Sequence, residues 1–199
     1  MSDMYLDVEV TYLDKENIEK LRNGIKTQSP SPEKCKIITI QYQILDDKGK
    51  PQTPLRIFKE WESSEREIIN KIAGMINPRR IWEFVPVGHN IYFDLGMLMG
   101  RAKLYGIEYT NQFIYNDLPA IDLKHICIGM NAFQLKGSGM DRFTGKETSG
   151  AMVPVWYHDK DYGKIIDYIE KETKEFIEFY AKLKQKLPEF RKQHGFIRG

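Results

Sequence analysis

The sequence predicts an α/β domain with a mixed, five-stranded sheet, in which the first strands are antiparallel and helices cover both faces. Residues 4–10 alternate as in a strand, and 36–45 are rich in isoleucine, threonine and tyrosine, which favour β-structure. Apolar residues then recur at helical spacing over 68–76, 91–105 and 161–187. Strand patterns that alternate along the chain with helix patterns predict an α/β fold.

Composition and charge exclude several classes of protein. The 199 residues are 41% hydrophobic, which suffices for a single domain, predicted here over 1–199, with a substantial core. A formal net charge of +2 excludes a polybasic chain that binds nucleic acid through its overall field. No apolar run approaches the roughly 20 residues that span a bilayer, and the N-terminus lacks the pattern of a signal peptide. Cys35 and Cys127 have no metal-ligand spacing and predict buried free thiols in a reducing compartment. We therefore expect a cytoplasmic protein without a membrane partner.

The first part of the chain predicts a strand, an excursion and a hairpin. In the first strand, Asp7 and Glu9 project to the same face. The turn-rich stretch 11–34 follows, with a short helix predicted over 17–22. The isoleucine-rich strand then pairs, through a turn, with a hairpin partner predicted over 52–59.

The middle of the chain predicts a helix, a strand and a second helix. Ser64 and Glu67 have the spacing of a capping box and begin a helix that Asn77-Pro78 ends. A strand over 81–87 then leads into the helix predicted from residue 91.

The last part of the chain predicts two helices that flank a loop. The first of these helices follows Asp122. The glycine-rich range 136–160 has none of the spacings of a phosphate-binding loop, and we predict a flexible loop there. That loop is either a flap that contacts a substrate strand or a plain surface loop. The final helix is predicted to end at Pro188, which leaves a basic tail over 188–199.

Acidic residues lie beside apolar stripes at four distant positions, which are Asp7, Glu9, Asp94 and Glu172. On a central strand of an α/β sheet, burying carboxylates is costly unless a cation compensates them. Convergent carboxylates repel one another, and ligation by oxygen alone suits Mg²⁺ or Mn²⁺. Two such ions about 3.5–4 Å apart are the arrangement that hydrolyses phosphodiesters. Each acid also has a plain interpretation, as a surface acid, a helix-cap acid or a solvated helix residue.

Three segments carry a resemblance to a known family. DVE at 7–9, GHNIYFDL at 88–95 and YIEKE at 168–172 resemble, in order and at plausible spacings, the three motifs of the DEDD 3′–5′ exonucleases. That superfamily has the ribonuclease H-like fold. It includes the proofreading domain of family B DNA polymerases, which this chain resembles as a stand-alone protein.

The third segment resembles the tyrosine subtype of that superfamily. Tyr168 lies four residues before Glu172, as in that subtype. In the histidine subtype an acid would follow His158 by about five residues, but Gly163 stands there. The resemblance implies that Tyr168 orients the attacking water. A phenol with a reference pKa near 10 is better suited to holding a water molecule in position than to removing its proton as a base.

The resemblance implies a role for each matching residue. The implied ligands of two Mg²⁺ or Mn²⁺ ions are Asp7, Glu9, Asp94 and Glu172. Asn90 would contact the substrate strand or brace the site. The predicted substrate-binding set is completed by His89, Val10, Lys136 and Arg142.

The implied activity is hydrolysis of single-stranded nucleic acid from the 3′ end to nucleoside monophosphates, with DNA favoured over RNA. Single-stranded DNA or RNA 3′ ends are the expected partners, together with a polymerase or repair protein.

Two residues depart from the family pattern: Glu172 replaces the usual aspartate, and Val10 replaces a frequent threonine. One extra methylene shifts a ligand by about 1 Å, and such a shift can lower a rate roughly 100-fold. The alternative is therefore a weakened or inactive exonuclease fold that serves as a nucleic-acid-binding or accessory subunit of a replication or repair complex.

Overall fold

Five strands form one open, mixed sheet in the computed structural model, which describes residues 2–75, 84–107, 120–144 and 150–193. The strands are β1 (Ser2–Tyr12), β2 (Cys35–Leu45), β3 (Arg56–Lys59), β4 (Phe84–Gly88) and β5 (Ile121–Asp122). They lie in the order β3-β2-β1-β4-β5, so β1 is the central strand. β2 is antiparallel to β1 and to β3, whereas β4 is parallel to β1 and to β5. The predicted mixed sheet with antiparallel first strands is confirmed.

Helices connect the strands and follow the last one. They are α1 (Lys15–Arg22), α2 (Glu65–Ala73), α3 (Ile91–Leu104), α4 (Leu123–Met130), α5 (Asp141–Thr144), α6 (Val153–His158) and α7 (Tyr162–Gln193). Short 3₁₀ helices cover Glu60–Glu62 and Gly150–Met152. The Oγ atom of Ser64 caps α2 as predicted, since it accepts a hydrogen bond of 3.2 Å from the backbone N–H of Glu67. The helices predicted before β2, after β4 and after β5 are confirmed.

The two faces of β1 pack against different helices. Leu6 and Val8 belong to the core cluster that includes residues of α2 and α3. Tyr5 points the other way and contacts the ring of Phe176 on α7, with the ring centroids 4.8 Å apart. Helices on both faces of the sheet are therefore confirmed. Because side chains alternate along a strand, the two acids of β1 point to the same side as Tyr5, toward α7.

The last helix is longer than predicted. α7 continues through Pro188 to Gln193, so the predicted stop at Pro188 is wrong. A proline removes one N–H donor, but this loss falls near the end of a 32-residue helix that a buried apolar stripe holds against the sheet. Of the predicted tail over 188–199, the residues 188–193 are helical, and 194–199 lie outside the described residues.

The range 136–160 is not one loop. Gly150–Met152 leads into α6, which begins with the buried residues Val153, Pro154 and Val155. The prediction of a flexible loop is therefore wrong for 141–144, which form α5, and for 150–158. Proline in the first turn of a helix is favourable, because the N–H that it lacks would have no intrahelical partner there. Residues 145–149 lie outside the described part of the chain.

Other predictions fall partly on residues that the structure does not describe. These are the helix stop at Asn77-Pro78 and the first residues, 81–83, of the strand that becomes β4.

Cys35 and Cys127 are buried free thiols, as predicted. Among the described helices, none has both the length and the apolar character that a bilayer-crossing segment needs.

Candidate functional site

Three carboxylates from distant parts of the chain meet between the sheet and α7. Asp7 and Glu9 come from β1, and Glu172 comes from α7. One oxygen atom from each residue lies within 4.8 Å of the chosen oxygens of the other two. Two unit charges at such a separation repel by about 3 kcal/mol at an effective dielectric constant near 20, before solvent screening. A hard divalent cation among these oxygens would replace the repulsion by attraction.

The packing of α7 sets the direction of Glu172. Ile169 and Phe176 are each 1% exposed, and they lie three residues before and four residues after Glu172. Residues at these spacings share one side of a helix, so Glu172 points toward the sheet and is half-buried. The plain interpretation of Glu172 as a solvated helix residue does not describe this position.

Asp94 lies directly beside the strand that carries the other two acids. It is 3% exposed, and its Oδ1 atom accepts a hydrogen bond of 3.3 Å from the backbone N–H of Val8, the residue between Asp7 and Glu9. Burial, followed by the charge of Asp7, raises the pKa of Asp94 well above its usual value. The structure therefore gathers all four predicted ligands. Three of them form the group within 4.8 Å, and Asp94 is bound to the backbone of β1.

Tyr168 borders the group of carboxylates from the same helix as Glu172. Its side chain is hydrogen-bonded to Glu172, and the residue is 7% exposed. Burial, followed by the charges of Glu9 and Glu172, raises the pKa of the Tyr168 phenol far above its usual value. The phenol therefore stays protonated at physiological pH and acts as a donor. This state agrees with the predicted role of Tyr168 as a positioner.

Gly150 packs directly against the hydroxyl group of Tyr168. A Cβ atom at Gly150 would lie 2.7 Å from that oxygen and 3.4 Å from the ring carbon that carries it. The segment that leads into α6 thus approaches Tyr168 with bare backbone. The sequence prediction missed this contact, because the glycines of the range were interpreted as flexibility and not as close approach.

Two further side chains contact Asp7, and the sequence prediction missed both. From β2, the Nε2 atom of Gln41 donates a hydrogen bond of 2.7 Å to Oδ2 of Asp7. The hydroxyl of Tyr5 donates to the same oxygen at 3.4 Å. Burial, followed by the charge of Asp7, raises the pKa of Tyr5 well above its usual value. The signal that could have identified Gln41 is a polar residue inside a strand of isoleucines.

The turn from β4 into α3 explains the motif that precedes Asp94. A Cβ atom at Gly88 would lie 3.0 Å from the backbone oxygen of Leu6, so glycine lets β4 approach β1 closely. Asn90 has a φ of 68° and a left-handed conformation. Its backbone N–H donates to Oδ1 of Asp122 at 2.8 Å, and its own Oδ1 accepts from Nζ of Lys124 at 2.8 Å. These contacts join Asn90 to the start of α4, and its role in contacting substrate or bracing the site stays a prediction.

His89 joins the site to the loop that carries the predicted basic residues. Its Nε2 atom lies 3.3 Å from the carbonyl oxygen of Ser138, and burial lowers the pKa of its imidazole. The charges of Asp122, Lys124 and Glu172 also act on the pKa of this imidazole. Lys136 is exposed, and Arg142, on α5, donates a hydrogen bond of 2.7 Å to Oδ1 of Asn131. The two basic residues thus lie on either side of Ser138, the residue that contacts His89.

Val10 is not brought to the carboxylates. It packs against the core cluster that contains Leu6 and Val8, on the other face of β1. Consecutive residues of a strand point to opposite faces, so Val10 lies away from the carboxylates, and its contact with substrate stays a prediction.

The donor set indicates which metal the site would hold. Within the described residues, this is the one group of three or more His, Cys, Asp or Glu side chains that meets the geometry of a metal site. It offers carboxylate oxygens and neither nitrogen nor sulfur, which suits Mg²⁺ or Mn²⁺ and disfavours Zn²⁺.

Comparison of the chain with protein-family models gave no match, and comparison with curated proteins gave none either.

Proposed function

We propose that the protein is a 3′–5′ exonuclease that hydrolyses single-stranded nucleic acid with two divalent cations and releases nucleoside monophosphates. One observation carries the proposal: carboxylates of Asp7, Glu9 and Glu172 meet within 4.8 Å beside the buried phenol of Tyr168. Four residues that match the tyrosine-subtype pattern, which are Asp7, Glu9, Tyr168 and Glu172, thus lie together although they come from two distant segments of the chain. The mixed five-stranded sheet with an antiparallel start is compatible with the ribonuclease H-like fold of that superfamily.

The carboxylates would hold the cations at the junction of β1 and α7. Asp7, Glu9 and Glu172 would bind through the oxygens that already converge, and Asp94 would complete the set from α3. Bound Mg²⁺ or Mn²⁺ supplies a nucleophile at neutral pH and stabilises the charge that develops at the phosphate. The protonated phenol of Tyr168, which is hydrogen-bonded to Glu172, would position the attacking water, and its burial excludes bulk water from that side.

The loop beside His89 supplies features that suit a single strand. It presents the ring of Phe133, which is 85% exposed, and the exposed side chain of Lys136. Aromatic rings stack on bases without regard to sequence, and lysine attracts the phosphate backbone. Ser138 of this loop contacts His89, so the loop lies beside the turn that leads into α3.

A cleavage assay with a labelled strand tests the proposal. A 5′-labelled DNA with a 3′ overhang is incubated with the purified protein and Mn²⁺. We expect a ladder that shortens from the 3′ end, with nucleoside monophosphates as products. The double variant Asp7→Ala/Asp94→Ala should abolish the ladder, and undiminished cleavage by it would rule out this site. Glu170→Gln is a matched control, because Glu170 lies on the same helix as Glu172 but is exposed.

A second candidate function is a catalytically weakened, nucleic-acid-binding or accessory subunit of a replication or repair complex. The glutamate at position 172 favours it, as do three exposed apolar residues close together in the chain, which are Met130, Phe133 and Leu135. Exposed apolar patches mark interaction sites. Calorimetry separates the two functions: binding of single strands without Mn²⁺ heat and without cleavage supports the accessory role.

A further inference from the structure

Two polar side chains of β2 are completely buried beside the carboxylates. Gln41 and Thr39 are each 0% exposed, in a strand whose neighbouring residues are largely isoleucine. In the register of the sheet, Gln41 stands opposite Asp7, and Thr39 stands opposite Glu9. Burying polar groups destabilises a fold unless they are hydrogen-bonded. Their partners therefore show what these two residues do.

The two side chains form a chain of hydrogen bonds that ends on Asp7. The Oγ1 atom of Thr39 donates to Oε1 of Gln41 at 3.0 Å, and Nε2 of Gln41 donates to Oδ2 of Asp7 at 2.7 Å. A carboxylate only accepts hydrogen bonds, so the amide must present its nitrogen to Asp7. The Oγ1 atom of Thr39 donates to the amide oxygen on the opposite side, so both ends of the amide are hydrogen-bonded in this orientation.

We propose that Gln41, held by Thr39, is a positioning residue that fixes the carboxylate of Asp7 in the orientation that binds a divalent cation. This inference rests on the proposed function, in which Asp7 is a metal ligand. A lysine or arginine at position 41 would also bind Asp7, but its charge would compete with the cation. The neutral amide orients the carboxylate and leaves its charge available. Outer partners of this kind typically contribute about 10- to 100-fold to metal affinity or activity.

Gln43 offers a matched control on the same strand. It lies two residues along and on the same face as Gln41, and it is 8% exposed. Its Nε2 atom donates to the carbonyl oxygen of Thr53 at 2.6 Å and not to a carboxylate. Gln43→Leu therefore removes a buried amide and its hydrogen bond to a backbone oxygen, whereas Gln41→Leu removes a buried amide together with the bonds to Thr39 and Asp7.

Titration of the whole protein with Mn²⁺ tests the inference without any cleavage step. Bound Mn²⁺ is measured from the loss of the free-ion EPR signal, for wild type and for Gln41→Leu, Thr39→Val and Gln43→Leu. We expect Gln41→Leu to weaken Mn²⁺ binding by about 10- to 100-fold. Thr39→Val should weaken it less, and Gln43→Leu should bind as the wild type does. Gln41→Met, whose side chain follows the path of glutamine, replaces Gln41→Leu if that variant does not fold.

The outcomes separate this inference from the proposed function. If the wild type binds Mn²⁺ and Gln41→Leu binds it equally well, Gln41 is only a buried structural amide and the inference is overturned. Equal losses in Gln41→Leu and Gln43→Leu would also overturn it, because the effect would then follow from general destabilisation. A wild type that binds no Mn²⁺ would overturn the proposed function, and this inference with it.

Discussion

The phenol of Tyr168 is hydrogen-bonded to Glu172, which lies one turn further along the same helix. The pair places a protonated donor beside a group of three carboxylates that converge within 4.8 Å. Two distant segments of the chain therefore contribute a ligand set and a positioner to one location. The predictions below follow from that arrangement and from the contacts that support it.

Replacing Tyr168 by phenylalanine should separate metal binding from cleavage. Tyr168→Phe removes the hydroxyl that orients the attacking water but none of the carboxylates. We expect Mn²⁺ binding to be retained. The single-turnover rate of cleavage should fall by about 100-fold, because misplacement of a reacting group by about 1 Å has an effect of that size. Tyr162→Phe is the control, because that ring stacks on Trp61 with centroids 4.5 Å apart. Equal cleavage by both variants would contradict the role of Tyr168.

Gly150→Ala should act through Tyr168. The added Cβ atom would lie 2.7 Å from the phenol oxygen, so the hydroxyl must move. We expect a loss of cleavage similar to that of Tyr168→Phe, in a protein that keeps its far-UV circular dichroism. In the Tyr168→Phe background that oxygen is absent, and Gly150→Ala should then add little further loss. A double-mutant cycle measures this coupling, and additive losses would show that Gly150 acts elsewhere.

Shortening Glu172 should weaken the site. The glutamate already reaches the oxygens of Asp7 and Glu9, so Glu172→Asp withdraws one ligand by about the length of a methylene, roughly 1 Å. We expect weaker Mn²⁺ binding in calorimetry and slower cleavage, whereas Glu170→Asp on the exposed side of α7 changes neither. A gain of cleavage in Glu172→Asp would instead favour the weakened-site interpretation.

Stability should depend strongly on a buried ion pair far from the carboxylates. Arg101 and Glu65 are 8% and 4% exposed, and two hydrogen bonds of 2.8 Å and 2.6 Å join them. Arg101→Met would leave Glu65 buried without its cation, which lowers the free energy of unfolding by about 3–5 kcal/mol. Urea denaturation measures this loss. Arg22→Met, which breaks an exposed pair with Asp159, should leave the urea midpoint unchanged.

Local patterns in the sequence were sufficient to predict most of the fold. Alternation over 4–10 correctly predicted that Asp7 and Glu9 share one face of β1, because side-chain direction in a strand follows from position alone. The approach of Glu172 to that face came from the family resemblance and not from spacing, since tertiary packing rotates α7 into place. Tertiary structure also explains why the sequence prediction missed Gln41, because the register between β1 and β2 places it opposite Asp7.

Single-residue signals were less reliable where tertiary contacts compete with local preference. Pro188 predicted a helix end, yet α7 continues through it because the helix is long and packed along one side. Glycine at position 150 suggested flexibility, whereas it permits a close contact with the phenol of Tyr168.

The central claim is that Asp7, Glu9 and Glu172 bind divalent cations, and anomalous diffraction from crystals soaked in Mn²⁺ tests it most directly. The account predicts anomalous peaks about 2.1 Å from carboxylate oxygens of these residues, the distance typical of small octahedral cations. Saturated crystals with no peak among these three carboxylates, or with Mn²⁺ bound only elsewhere, would contradict it.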